Sequence, residues 1–102
     1  MIMFDSDGYL KAYSQWNEAL ANTIAKECHI ELTDTHWAVI RTLRAFYEET
    51  QLAPPMRVFV KLIKTRLGAD TGNSITLHQL FPPQPAKIAA KMAGLPRPTH
   101  CL

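Results

Sequence analysis

Three things are scarce in this sequence, and each scarcity narrows what the protein can be. Only two cysteines, Cys28 and Cys101, occur in 102 residues, so at most one disulfide can form and the dense covalent framework of a small secreted domain is excluded. Long apolar runs are missing as well: nothing approaches the roughly 18 to 20 residues that a membrane span requires. The opening Met1-Ile2-Met3-Phe4-Asp5 lacks both a basic start and a long apolar centre, which is not the pattern of a secretory signal. A soluble protein of the reducing cytoplasm, with no membrane partner, is the expectation. Acidic charge, finally, is absent from one end, because no Asp or Glu follows Asp70. Residues 1–49 hold four Lys/Arg against eight Asp/Glu, and residues 50–102 hold seven against one. The net charge of +2 conceals that asymmetry. A basic C-terminal half suits an anionic partner, either nucleic acid or an acidic protein surface.

Catalytic signatures are equally sparse. Cys28, His29, His36, His78, His100 and Cys101 could be imagined around a metal, yet no C-x-x-C or H-x-x-x-H spacing supports one. No metal and no cofactor are expected, and the four histidines read as surface or core-edge residues. There is no Ser/His/Asp arrangement, Gly-rich phosphate loop or paired-carboxylate pattern, so hydrolase and nucleotide-binding chemistry has no support.

What is present is helical punctuation. Asp7-Gly8 between short apolar stretches in residues 4–10 reads as a small β-hairpin or ordered turn. Trp16, Leu20, Ala21 and Ile24 recur at helical spacing in residues 14–26, with Ser14 as the cap. Thr33 or Asp34 can cap a longer helix to about Thr50 whose stripe is Trp37, Ile40, Leu43, Phe46 and Tyr47, and this is expected to be the central helix. Ala53-Pro54-Pro55 breaks it. A third helix starts at Pro55 or Met56 and stops at Gly68. A turn cluster at residues 70–74 precedes a short helix carrying Ile75, Leu77, Leu80 and Phe81, and Pro85 opens a last helix to Ala93. The expected fold is mainly α: a compact bundle of about five helices in a single domain, residues 1–102, with a small N-terminal β-hairpin. Residues 94–102 form a flexible C-terminal arm, since Gly94 suits a left-handed helix cap and neither Pro96 nor Pro98 continues a helix.

That arm carries Cys101 one residue from its end. A thiolate is the reactive form, and a free thiol with a pKa of about 8.5 is only slightly ionised near neutrality. Arg97 and a protonated His100 favour the thiolate, whereas the terminal carboxylate opposes it. From placement alone Cys101 is either an incidental surface cysteine or a reactive one. Cys28, at a helix end before Ile30, reads as a small buried hydrophobe. Arg57, Lys61 and Lys64 share a face of the third helix, and Lys87 and Lys91 repeat the spacing on the last. These are solvated faces or docking charges for an acidic protein or RNA. A helix-turn-helix around Ala53-Pro54-Pro55 is a further alternative, weakened by a loop without glycine.

The run Leu80-Phe81-Pro82, Pro85-Ala86-Lys87, Lys91, Ala93-Gly94-Leu95-Pro96, Pro98 and Cys101 resembles the C-terminal signature of the DsrC/TusE family of sulfur-trafficking proteins. The likeness extends through Gly8-Tyr9-Leu10, Ser14-Gln15-Trp16, His36-Trp37, Ile40-Arg41, Phe46-Tyr47, Arg57, Val60-Lys61 and Gly72-Asn73-Ser74, nearly the whole chain. The resemblance implies a helical bundle with a mobile arm whose penultimate cysteine carries sulfur as a persulfide. Relatives that serve dissimilatory sulfite metabolism have a second cysteine eleven positions upstream, where this chain has Ala90. It therefore resembles the single-cysteine TusE-like branch, for which the family implies a sulfurtransferase relay: a TusBCD-like donor complex, an MnmA-like tRNA thiolase with its tRNA as acceptor, and 2-thiolation of the wobble uridine. Arg57, Lys61, Lys87, Lys91 and Arg97 are the expected docking charges. Two departures are Gln84, where many relatives have glycine, and a shortened N-terminal segment. The alternatives are a DsrC-like partner of a sulfite-reductase or sulfur-oxidation system and a helix-turn-helix nucleic-acid-binding regulator.

Overall fold

The computed structural model describes residues 1–98; residues 99–102, among them His100 and Cys101, lie outside the described part. Five helices follow a short 3-10 turn at Tyr13–Gln15: α1 Glu18–Glu27, α2 Asp34–Thr50, α3 Met56–Leu67, α4 Ser74–Leu80 and α5 Pro85–Met92.

The starts of α1, α2 and α4 follow from side chains that cap free N–H groups. Asn17, not Ser14, opens α1 by accepting from the Leu20 N–H. Ser14 belongs to the 3-10 turn, and Trp16 lies in extended backbone ahead of the helix. The difference has a physical cause, because Trp16 is held by the far end of the chain rather than by helical neighbours. Thr33 caps α2 through its hydroxyl, and His36 completes a reciprocal capping box. Asn73 caps α4 by accepting from the Thr76 N–H, and Pro85 occupies the first turn of α5.

The N-terminal segment shows no strands among the described residues. One antiparallel bridge pairs Phe4 with Leu10, and between them the Asp5 carboxylate accepts from the N–H groups of Asp7 and Tyr9. Gly8 closes the turn at φ +89°. The ladder stops after the Lys11 N–H donates to the Met3 carbonyl, because two residues later the chain enters the 3-10 turn.

The central helix is also not the expected one. α5, only eight residues long, packs against α1, α2, α3 and α4. Ala89 and Ala90 are at most 1% exposed, and such small side chains let neighbouring helices approach closely. Around them Phe59, Phe81, Ile40, Leu43, Ile63 and Met92 fill the core. The buried stripe of α2 runs through His36, Val39, Ile40 and Leu43, one step round from the expected face, leaving Trp37 and Tyr47 at its edge. His36 is thus inside the protein, 6% exposed. Its Nδ1 accepts the Thr33 N–H at 3.1 Å, so Nε2 is the protonated nitrogen and donates to the Leu80 carbonyl at 2.7 Å. One histidine thereby joins the start of α2 to the end of α4. Gly72 sits so close to α3 that a Cβ there would lie 2.1 Å from the Lys64 backbone nitrogen.

Candidate functional site at the root of the arm

The end of α5 is built to turn the chain out in a set direction. Ala93 is the last roughly helical residue and Gly94 reverses the backbone at φ +74°. The Gly94 N–H donates to the Lys91 carbonyl at 3.2 Å and the Leu95 N–H to the Ala90 carbonyl at 3.0 Å. This is the paired hydrogen-bond pattern of a Schellman cap, with Leu95 buried beneath it. Gly94 is required a second time by space, since a Cβ there would meet Trp16 Cδ1 at 2.6 Å.

Two long side chains then hold the last carbonyls. Trp16 Nε1 donates to Met92 O at 2.7 Å, and Arg44 Nη1 donates to Ala93 O at 2.7 Å. The Arg44 guanidinium lies over the Tyr13 and Trp16 rings, 4.1 and 3.9 Å from their centres. A cation between aromatic faces suits their negative quadrupoles and keeps the planar group in one orientation. Burial pulls the Arg44 pKa below its ordinary value, with Tyr13 and Glu48 opposing. Burial likewise raises the Tyr13 phenol, opposed by Arg44.

Beyond this clamp the chain surfaces. Leu95 is fully buried, whereas Pro96 and Arg97 are exposed. The exposed strip therefore begins at Pro96, five residues before Cys101, with Gly94 and Leu95 built into the core. Arg97 turns back on the N-terminal turn, where it pairs with Asp7 and lies 3.9 Å from Asp5. Tyr9 forms the floor, its ring centre 5.7 Å from the Arg97 guanidinium and 5.2 Å from Lys91 Nζ. The Asp5 carboxyl is held below its ordinary value by the Tyr9 N–H above all, with burial opposing and the Asp7 N–H and Arg97 assisting.

The expected docking charges do not form one set. Lys87, Lys91 and Arg97 come together around a groove of about 350 Å³ that Asp7 and Tyr9 complete. Lys87 and Arg97 also line a second groove of about 500 Å³, together with Pro98. Arg57 and Lys61 are exposed on α3 and line neither. Arg97 differs from the rest in already having an internal carboxylate partner. Ala90 is 1% exposed. Cys28 is the C-cap of α1, half-buried against the core; burial pushes its thiol up, with Lys91 opposing. Gln84 has φ −132°, a backbone open to any residue, so the amide is accommodated without strain in place of glycine and lines the larger groove.

Sequence reasoning missed Arg44 and Asp7 as site residues and Trp16 as a clamp. Their partners lie 49 residues away for Arg44 and 76 for Trp16, and no local pattern announces such pairs. Among the described residues, no three His, Cys, Asp or Glu side chains gather as a metal would need, and no helix is long and apolar enough to cross a membrane.

Comparison with known proteins bears on what such an arm does. A family model described as "DsrC like protein" matches residues 1–102. The chain is 53% identical over 98 residues to a protein of Haemophilus influenzae named Sulfurtransferase TusE homolog, covering 96% of this chain and 90% of that one. It is 50% identical over 101 residues to Sulfurtransferase TusE of Salmonella choleraesuis, covering 99% and 93%. Among solved structures it is similar to Allochromatium vinosum DsrC, with a TM-score of 0.91 at 44% identity over 99% of this chain and 90% of that one.

Proposed function

The chain belongs to the DsrC-like family, and on that premise we propose that it is a sulfur carrier of the TusE type, accepting persulfide sulfur on Cys101 and relaying it toward 2-thiolation of the tRNA wobble uridine. The observation that carries this reading is about 50% identity, end to end, to relatives named as TusE sulfurtransferases. The arm geometry supports it. A Schellman cap, an indole and a guanidinium set the direction in which the last residues leave the core, as a carrier that must present one thiol to two partners requires.

The chemistry is a pair of exchanges. The Cys101 thiolate attacks the outer sulfur of a donor persulfide; a new S–S bond forms on Cys101, the donor's S–S bond breaks, and the donor leaves as a thiolate. An acceptor thiolate then takes the same sulfur from Cys101 and restores its thiolate. No net oxidation occurs, and no cofactor is required. With alanine at position 90, buried in α5, Cys101 has no second thiol there with which to close an internal disulfide, which favours onward transfer over the redox chemistry of a sulfite-reductase partner. The donor on this reading is a TusBCD-like complex and the acceptor an MnmA-like tRNA thiolase, in the cytoplasm. Lys87 and Lys91 are the docking charges nearest the arm's root, while Arg57 and Lys61 on α3 widen the basic surface. The protein works as a relay component of a sulfurtransferase system.

Incubation with cysteine persulfide, followed by intact-mass measurement, tests the reading. The wild type gains one sulfur, about 32 Da, which a reductant removes. Cys28→Ala still gains it, and Cys101→Ser does not; equal gain by Cys101→Ser would falsify the assignment. The nucleic-acid-binding alternative makes the opposite prediction, a steeply salt-dependent affinity for duplex DNA that survives loss of Cys101.

A further inference from the structure

The larger groove beside the arm, about 500 Å³, has mostly apolar walls, interrupted by His78 and Gln84, and positive charge as its only formal charge. Met56 at the first turn of α3, Pro83 and Pro85 at the entry to α5, and Pro98 of the arm all line it. These are apolar, and three of the four have rigid rings. The charged lining residues are Lys87 and Arg97, and no carboxylate lines the groove. Arg97 is already paired with Asp7. Lys87 has no carboxylate within 4.0 Å among the described residues and is exposed.

The start of α5 adds to this charge. Gln84 makes no side-chain cap, and Pro85 at the first helical position has no N–H to offer. The N–H groups of Ala86 and Lys87 are therefore uncapped by any side chain, at the positive end of the helix and on the groove. A carboxylate complements Lys87 and these donors together. The walls fit aliphatic side chains. His78 supplies the one aromatic ring among the lining residues, and its Nδ1 is tied back to the Ser74 carbonyl at 2.8 Å. A single imidazole offers successive nucleobases no run of stacking platforms, so the apolar walls and Lys87 fit a peptide better than RNA.

The groove also lies at the right place along the chain. Pro98 lines it, and Cys101 follows three residues later, at most about 11 Å of extended chain. A cysteine borne by a bound peptide falls within that reach.

We propose that this groove binds an extended acidic segment of the protein that exchanges sulfur with Cys101, with a carboxylate at Lys87 and the first turn of α5 and apolar side chains on Met56 and the prolines. This rests on the carrier reading and adds the place where the partner is held and the chemistry that selects it.

Disulfide exchange with model peptides tests it in a Cys28→Ala background, where Cys101 is the only thiol. The probes are two hexapeptides with a central cysteine activated by thionitrobenzoate, one flanked by two Asp and the other by two Lys. The Cys101 thiolate attacks the peptide sulfur, the bond to thionitrobenzoate breaks, and the released anion is followed by its absorbance, with no added oxidant. At low ionic strength the acidic probe should react about tenfold faster, as expected where charge complementarity steers encounter. Lys87→Glu and Gln84→Glu should each bring the ratio close to one. Gln84→Glu also places a carboxylate at a helix N-terminus, where it favours folding, so its effect cannot be put down to unfolding. Lys11→Glu, the same charge change as Lys87→Glu but outside the groove, should keep the ratio. The proposal is overturned if both groove variants retain the wild-type ratio, if Lys11→Glu abolishes it equally, or if oligouridylate slows the reaction more than a cysteine-free acidic peptide does. Failure of the carrier reading shows separately, as absent sulfur uptake from cysteine persulfide, and the rate ratio reports on the groove whichever way that measurement falls.

Discussion

Trp16 fastens the root of the arm, its Nε1–H donating to the Met92 carbonyl at 2.7 Å. Its spacing with Leu20 and Ile24 places it on a helix face, yet in the fold it stands outside α1. The same indole leaves no room for a Cβ at Gly94. Trp16→Phe keeps most of the apolar surface but leaves that buried-end carbonyl without its donor, a loss of about 1–3 kcal/mol. A lower urea midpoint with an unchanged slope is the expected result. Sulfur exchange on Cys101 with a protein partner should slow at the same time, because the arm loses one of the bonds that aim it. Arg44 follows the same logic through Ala93 O. Position and a family signature mark Cys101, which lies outside the described residues, and the structure adds the geometry of the arm's root.

At the scale of elements, caps separate what periodicity can show from what it cannot. Four of the five helices begin within about two residues of their expected starts, because Thr33, Pro55, Asn73 and Pro85 act locally. α1 is the exception: Ser14 is the expected cap, but Asn17, three residues later, takes that place, because Trp16 between them is held outside the helix by the Met92 carbonyl. Asn17→Ala should therefore cost about 1 kcal/mol in chemical denaturation, and Ser14→Ala should fall within about 0.5 kcal/mol of wild type. The reverse order of effects would restore Ser14 as the cap. The N-terminal turn teaches a related lesson. Asp7-Gly8 does reverse the chain, but a reversal is not a sheet, and only the Phe4–Leu10 bridge forms.

Over the whole molecule, the acidic first half closes on the basic second half at a few points. Glu49 meets Arg66, and Asp5 and Asp7 meet Arg97. Those exposed pairs contribute little to stability singly, but the last of them ties the start of the chain to the arm. Asp5 is held below its ordinary 3.8 by the Tyr9 N–H first and by Arg97 among smaller causes. A carboxyl depressed in the folded state contributes fully above its unfolded value, and that contribution is lost as pH falls through the lowered one. Below about pH 4, the amide resonances of Gly8 and Tyr9 should therefore shift as the turn loosens. Asp5→Asn keeps an oxygen acceptor but should remove that pH dependence; an unchanged titration in Asp5→Asn would assign the transition to another group. α5 matters at this scale too. It touches all four other helices and ends at the root of the arm, so the element that holds the core together also sets where the chain leaves it at Pro96.

Helix number, most helix starts, the left-handed cap at Gly94 and the charge asymmetry were legible in the chain alone, because each depends on residues within a turn of one another. So was the family signature around Cys101, which is contiguous. The clamp on the arm, the pairing of Arg97 with Asp7, the burial of His36 and the groove between α3 and α5 were not legible. Each joins residues tens of positions apart, and their meeting depends on how closely Ala89 and Ala90 let the other helices approach α5, a matter of packing that no local spacing encodes.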